Sequence, residues 1–235
     1  MRLLVIGCEY AGKTTLARHV SRWMIDSMGL PYVRWHDHFV VPRLDRHLIV
    51  HAGANAPVVG KDESDLNTAE DEEQIRSLRP MVLEQLQRHN VWRHLHPDVF
   101  REEDSLFVNH YYAEAVYAPL YYGYGEPGSF ADRPGRARAW DRELLLRAPD
   151  TVLVLVECAP RLIRERMGLG RRPRCILRER DVERVITLFR EQFEASLIPA
   201  KFPLDTSDAS PDEVFAAFQR RMEPSLTDVD RRRLK

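Results

Sequence analysis

Eight residues near the start of the chain, Gly7-Cys8-Glu9-Tyr10-Ala11-Gly12-Lys13-Thr14, carry its most concentrated chemistry. They match the spacing G-x-x-x-x-G-K-[ST] in full. A loop of this kind turns successive backbone N–H groups inward, where they satisfy dense negative charge without needing many side chains. Gly12 lets the main chain approach closely, Lys13 brings an ammonium, and Thr14 brings a hydroxyl that can ligate magnesium. The helix that starts there, with Thr15 in its first turn, adds the positive end of its dipole. Residues 7–15 are therefore expected to hold the phosphates of a nucleoside triphosphate, and Thr14 the Mg2+ that accompanies them.

Other reactive residue types do not assemble into sites. The nine histidines include His36, His38, His94, His96 and His110, but their spacings form no ligand set and no H-E-x-x-H occurs. Cys8, Cys158 and Cys175 are an odd number without metal-ligand spacing, which excludes a disulfide framework and fits a reducing cytoplasm.

The elements that must position the loop follow from periodicity. Leu3 to Ile6 is a continuous apolar run ending at a glycine, as in a parallel strand buried on both faces. Leu16, Val20, Trp23, Met24 and Met28 then recur at helical spacing until Gly29 and Pro31 stop the helix. Tyr32 to Trp35 is a second strand that delivers His36, Asp37 and His38 to its carboxyl end. Periodicity fades from Val40 to about Asp71, where loops with one short helix are expected. Glu72 to Trp92 is helical, with Pro80 starting or kinking a segment of it. Ser105 to Val108, Thr151 to Val156 and Phe202 to Asp205 are the remaining strands, the middle one β-branched without interruption. Helices are expected at 111–122, 138–147, 160–167 and 181–196, the last with Val182, Val185, Ile186, Phe189 and Phe193 on one face. Ser210-Pro211-Asp212-Glu213 is a helix start: a serine cap, proline in the first turn and acids behind it. Arg231, Arg232, Arg233 and Lys235 look like a frayed basic tail over 225–235. Five strands alternating with helices imply an α/β fold with a parallel sheet covered on both faces.

Bulk properties narrow the classes. At 235 residues the chain suits one α/β domain, here 1–224, with an acceptor-side insertion at 42–100. Its net charge of −1 gives no reason to expect a nucleic-acid or membrane partner. The first strand is too short for a signal peptide, and no apolar run approaches the length of a membrane span. A soluble cytoplasmic protein is expected, with a homodimer left open.

The loop at the N-terminus, the arginine-rich stretch after the fourth strand, and the last strand followed by Asp205-Thr206-Ser207-Asp208 together resemble the P-loop nucleoside and nucleotide kinases, thymidylate kinase-like in particular. The resemblance covers most of the chain in order of elements, with the loop as its one specific motif. It implies a three-layer P-loop NTPase fold, a five-stranded parallel sheet of order 2-3-1-4-5, and an arginine-rich lid at 168–178. It also implies ATP as donor, since no residue in the sequence separates adenine from guanine, and places Asp205 to Ser210 around the base. In the lid, Arg171, Arg172 and Arg174 flank Pro173 in a glycine-bounded loop and would neutralise charge on the transferring phosphoryl group; Arg164 and Arg166 belong to the same cluster, Arg164 on a helix surface.

A carboxylate is expected at the end of the second or third strand, to take the acceptor's proton or to hold the metal's water shell. Asp37 fits the second. The third ends in Asn109-His110-Tyr111, where similar kinases usually carry an aspartate followed by an arginine. Asn109 can orient a metal-bound water but cannot take a proton, and Glu114 or Glu157 would have to substitute. Among the tyrosines that follow, Tyr112 lies near the expected acceptor side, whereas Val116, Tyr117, Leu120 and Tyr121 form a core face.

The residues thus point to an ATP-dependent kinase for a small acceptor, a nucleoside or nucleotide, with Lys13 holding phosphates and Asp37, Asn109 and Tyr112 on the acceptor. A nucleotide-dependent switch or slow ATPase is the rival from another class, and a sugar or antibiotic-like acceptor the rival within the kinases. The absence of N-K-x-D argues against a GTPase.

Overall fold

The structure is a computed structural model of the chain that describes residues 1–37, 48–51, 68–97, 104–170 and 175–234. In chain order the elements are β1 (Arg2–Ile6), α1 (Lys13–Asp26), β2 (Tyr32–Asp37), β3 (Leu48–His51), α2 (Ala69–Arg76), α3 (Pro80–His94), β4 (Ser105–Val108), α4 (His110–Tyr117), α5 (Arg133–Arg147), β5 (Val152–Glu157), α6 (Pro160–Gly168), α7 (Val182–Ala195), β6 (Ala200–Asp205), α8 (Pro211–Met222) and α9 (Asp228–Arg233).

Five strands are parallel in the order β2-β4-β1-β5-β6, which is the 2-3-1-4-5 arrangement expected from the sequence. β1 lies in the centre, with Leu3, Val5 and Ile6 at zero exposure, because a strand covered on both faces has no side for polar residues. α1 packs with α8, and α4 with α5 and α7, so helices cover the sheet on both faces. α7 turns Val182, Val185, Phe189 and Phe193 inward at its 3.6-residue repeat, as their spacing requires.

Three local expectations are corrected. β3 lies in the region expected to be loop and pairs antiparallel with β2, Val33 opposite Val50, adding a sixth strand at the sheet edge. As expected, Pro80 starts a new segment of the helical stretch from Glu72: it lies in the first turn of α3, after α2, where its missing N–H costs no intrahelical bond. The helix expected to reach Tyr122 stops at Tyr117 and continues as one wide π-helical turn over Ala118–Tyr122, with Pro119 inside it. The basic C-terminal segment is not frayed. Thr227 and Asp230 form a capping box for α9, and Arg233 pairs with Asp104 at 2.9 Å, so its charges are used to dock the helix. Among the described residues, no helix is long and apolar enough to cross a membrane.

Candidate nucleotide site

β1 runs straight into the glycine loop, and the loop's shape is forced by packing. Gly7 has φ +144°, and a Cβ there would sit 2.3 Å from the carbonyl oxygen of Val156 on β5. Only glycine lets the chain leave β1 so close to its neighbour. Tyr10 at φ 63° and Gly12 at φ +100° complete the turn into α1.

α1 begins without a side-chain cap and without an acid in its first turn. α2, α8 and α9 by contrast each close their first turn with a reciprocal capping box. The start of α1 thus presents uncapped N–H groups and the positive end of the dipole, the arrangement that binds anions. Lys13 is buried and bends back over the loop, its Nζ donating to the carbonyls of Gly7 at 2.8 Å and Cys8 at 2.7 Å. Those bonds hold the ammonium over the cage of amides. Cys8 itself is a packing residue: burial pushes its thiol up to about 12, against the pull of Lys13.

Two residues from elsewhere in the chain brace the loop. Thr206, just past β6, donates its hydroxyl to the carbonyl of Ala11 at 2.8 Å. Arg166, on α6, donates to the carbonyls of Tyr10 at 2.8 Å and Thr206 at 3.4 Å. Around them opens a pocket of about 240 Å³, with Arg166 and Thr206 as polar wall and Leu16, Ala209, Pro211 and Val214 as apolar wall. A flat ring with polar edges suits such a slot. The sequence singled out the stretch after β6 as a base-binding loop; Arg166 stood among the cluster arginines without this role. Its position on α6, one turn past Ile163 and facing the sheet's carboxyl edge, becomes visible only in three dimensions.

The third position of the loop faces a different partner. The Glu9 carboxylate accepts from the amide of Leu177 at 2.8 Å and from the Cys175 thiol at 3.1 Å, so it ties the loop to the C-terminal part of the 168–178 segment expected as a lid. Burial, followed by the nearby Glu9 charge, raises the Cys175 thiol to about 11. Arg171, Arg172 and Arg174 lie outside the described residues. Arg164 pairs with Glu183 on an exposed surface, as expected.

At the next strand ends, Asp37 closes β2 with its Cα opposite Val108 of β4, one residue before Asn109. The side chain of Asp37, like His38, lies outside the described set. Asn109 has φ 65° and ψ −53° and is followed by His110 at φ 46°, two successive non-glycine residues in a costly region of backbone space. Its amide donates to Val5 at 2.8 Å, locking it beside β1. Its Oδ1 is buried and has no hydrogen-bond partner among the described residues.

Tyr112 does not face an acceptor. It is fully buried, and its hydroxyl lies 2.7 Å from Asp141 and 2.6 Å from Ser196, within the helical layer. The helix turn that places it near the strand end points its ring toward α5 and α7. The two glutamates that could replace a strand-end aspartate are also engaged. Glu114 is buried with Arg133 at 3.4 Å and the Tyr124 hydroxyl at 2.8 Å, and Glu157 accepts from Arg190 at 2.6 Å.

The residues present fit magnesium as a phosphate-borne ion. No group of three or more His, Cys, Asp or Glu able to hold a metal occurs among the described residues. Magnesium that travels with phosphates needs no such cage, because it keeps several waters and takes few protein ligands. Thr14 in the first turn of α1 and the unpartnered Asn109 Oδ1 are oxygens of the type it uses, directly or through its water shell.

The chain matches no protein-family model. It also matches no curated protein. Among solved structures, it is similar to an unliganded sugar kinase from Janibacter sp. HTCC2649, with 15% identity over 96% of this chain and 98% of that one, at a TM-score of 0.42.

Proposed function

We propose that this chain is an ATP-dependent small-molecule kinase of the P-loop type. The observation that carries this reading is the uncapped start of α1 beneath the Gly7–Gly12 loop, with the Lys13 ammonium folded over it. Beside it, the pocket braced by Arg166 and Thr206 suits a nucleobase. An open α/β sheet takes its ligands at the carboxyl ends of its strands, where these residues lie.

In the reaction, an acceptor hydroxyl oxygen forms a bond to the γ-phosphorus as the bond to the β–γ bridging oxygen breaks. The electron pair leaves with ADP, and the hydroxyl proton passes to a carboxylate or to water. Lys13 and the loop amides hold the β- and γ-phosphates in line, which makes positioning and charge neutralisation the main contributions of the protein. Magnesium, when bound through Thr14, neutralises charge on the phosphate oxygens. Asp37 is the proposed proton acceptor, and Arg171, Arg172 and Arg174 the proposed cover for the transferring group. Asn109 holds water or an acceptor group through its Oδ1.

The test is ADP release from Mg-ATP across a panel of metabolites. Release that depends on one added metabolite supports the kinase. Release that proceeds without any acceptor would instead establish the slow ATPase, for which the amide at Asn109 in place of a carboxylate is the argument. Asp37→Asn should lower turnover by about two orders of magnitude or more, as expected for loss of a general base; unchanged turnover would assign Asp37 a structural role.

A further inference from the structure

Selection among nucleobases requires hydrogen-bonding groups aimed at the edge of the ring, because an apolar wall alone separates similar rings by little. Most polar groups around the pocket beside the phosphate loop are committed to the protein itself. Arg166 gives its guanidinium edge to the carbonyls of Tyr10 and Thr206 and to the Cys158 sulfur. The Thr206 hydroxyl goes to the carbonyl of Ala11, and the buried Tyr10 hydroxyl to the Cys175 thiol.

The loop after β6, where main-chain groups would read a base, closes on itself in the same way. The amide of Thr206 donates to the carbonyl of Glu157, and its own carbonyl accepts from Arg166. The amide and hydroxyl of Ser207 both donate to Asp205 Oδ1, at 2.9 and 2.6 Å, while Ser207 Oγ accepts from the amide of Ala159. Ser210 and Glu213 satisfy each other in the capping box of α8. Among the described residues no carboxylate lines the pocket, and Asp208 is exposed outside its wall.

What the pocket can still present to a base is the Thr15 hydroxyl, the main chain of Ala209 and the plane of the Arg166 guanidinium. A hydroxyl both donates and accepts, a peptide offers one donor and one acceptor, and a guanidinium stacks on any ring. Such a set suits adenine through N6–H and N1, guanine through O6 and N1–H, and the two pyrimidines through N3 and the group on C4.

We infer that the donor site of this chain grips the triphosphate and seats the base only as a flat ring, so that it takes GTP, CTP and UTP as well as ATP. The inference rests on the kinase reading and broadens its donor. Affinity then comes from what the four nucleotides share: the triphosphate on the loop amides and Lys13, and a ring face on the wall of Leu16, Ala209, Pro211 and Val214. A purine covers more of that wall than a pyrimidine, which sets the remaining spread at about tenfold or less.

The experiment is calorimetric titration of the full chain, with Mg2+ in excess, by ATP, GTP, CTP, UTP and inorganic tripolyphosphate, the last a probe without base or sugar. The four nucleotide Kd values should lie within about tenfold of one another, and tripolyphosphate should bind at least about tenfold more weakly than ATP. Thr206→Val should weaken all four alike, keeping the ratio of ATP to GTP affinity within about threefold, because its hydroxyl holds the loop and reads no base. Any two nucleotides differing by more than about tenfold, or a larger change of that ratio in Thr206→Val, overturns the permissive site and leaves the kinase reading in place. Tripolyphosphate as tight as ATP overturns the pocket as the seat of the base. A parent chain that binds none of the four nucleotides overturns the kinase reading itself.

Discussion

The hydroxyl of Thr206 donates a 2.8 Å hydrogen bond to the carbonyl of Ala11, joining the loop after the last strand to the loop after the first. The same oxygen lies 3.1 Å from the carbonyl of Glu157, so one side chain spans the carboxyl ends of β1, β5 and β6. Thr206→Val keeps the shape and removes both bonds. Loss of a buried hydrogen bond of this kind costs about 1–2 kcal/mol, so nucleotide affinity should fall roughly tenfold. Calorimetric titration of Mg-ATP checks this, and an unchanged Kd would separate Thr206 from the site.

Gly7→Ala tests whether the loop's path is fixed by steric contact. The added methyl would meet the Val156 carbonyl at 2.3 Å, at a φ of +144° that side chains rarely adopt. Backbone must move, and a loss of about 3 kcal/mol or more is expected. Gly12→Ala is the control: its Cβ would have 3.6 Å to Thr206, so its cost comes from backbone strain alone and should be smaller. Denaturant melts of the two variants should rank in that order.

Arg133 is fully buried between Glu84 at 3.0 Å and Glu114 at 3.4 Å, with its guanidinium over the rings of Tyr124 and Trp140. Arg133→Met removes the cation shared by two buried carboxylates, Glu84 keeping only Arg88 at 3.4 Å, and should destabilise the chain by about 3 kcal/mol or more. Adding Glu84→Gln and Glu114→Gln should recover part of that loss. No recovery in the triple variant would show that guanidinium packing, and not charge, holds α3, α4 and α5 together.

Asp230 links α9 to the start of the chain. Burial raises its pKa, but the bonds from Thr227 and the Met1 ammonium outweigh that and hold it below the ordinary value. A carboxyl lowered in the folded state contributes stability above its unfolded pKa of about 3.9, and that contribution is lost as pH falls through the folded value. The parent should therefore lose Tm faster than Asp230→Asn below about pH 4, and the two curves should converge there. Parallel curves down to pH 2 would contradict this role.

How far these features were legible depends on whether each is local. The glycine loop, the uninterrupted β-branched run of β5 and the Ser210 cap are written in adjacent residues, and all three took the expected form. β3 was missed because four residues, Leu48 to His51, are too few to show alternation, and their strand character comes from pairing with β2. The C-terminal basic run looked frayed because Asp104, its partner, is more than a hundred positions away in the chain. Tyr112 was placed on the wrong side because helical phase after Asn109 depends on the unusual backbone there, which no residue type announces. Arg166 and Thr206 could be singled out as near the site but not as its braces, since both act through carbonyls of the loop, and carbonyls leave no mark on a sequence.

The most direct measurement is heat of binding for Mg-ATP to the parent chain and to Lys13→Met, which keeps the length of the side chain and removes the ammonium held over Gly7 and Cys8. The parent should bind with a micromolar-range Kd, corresponding to about −8 kcal/mol, and the variant should lose at least a hundredfold in affinity while its circular dichroism and Tm stay within error of the parent. Absence of heat for any common nucleoside triphosphate with the parent, or equal affinity in the two proteins, would contradict the assignment of this loop as a phosphate site.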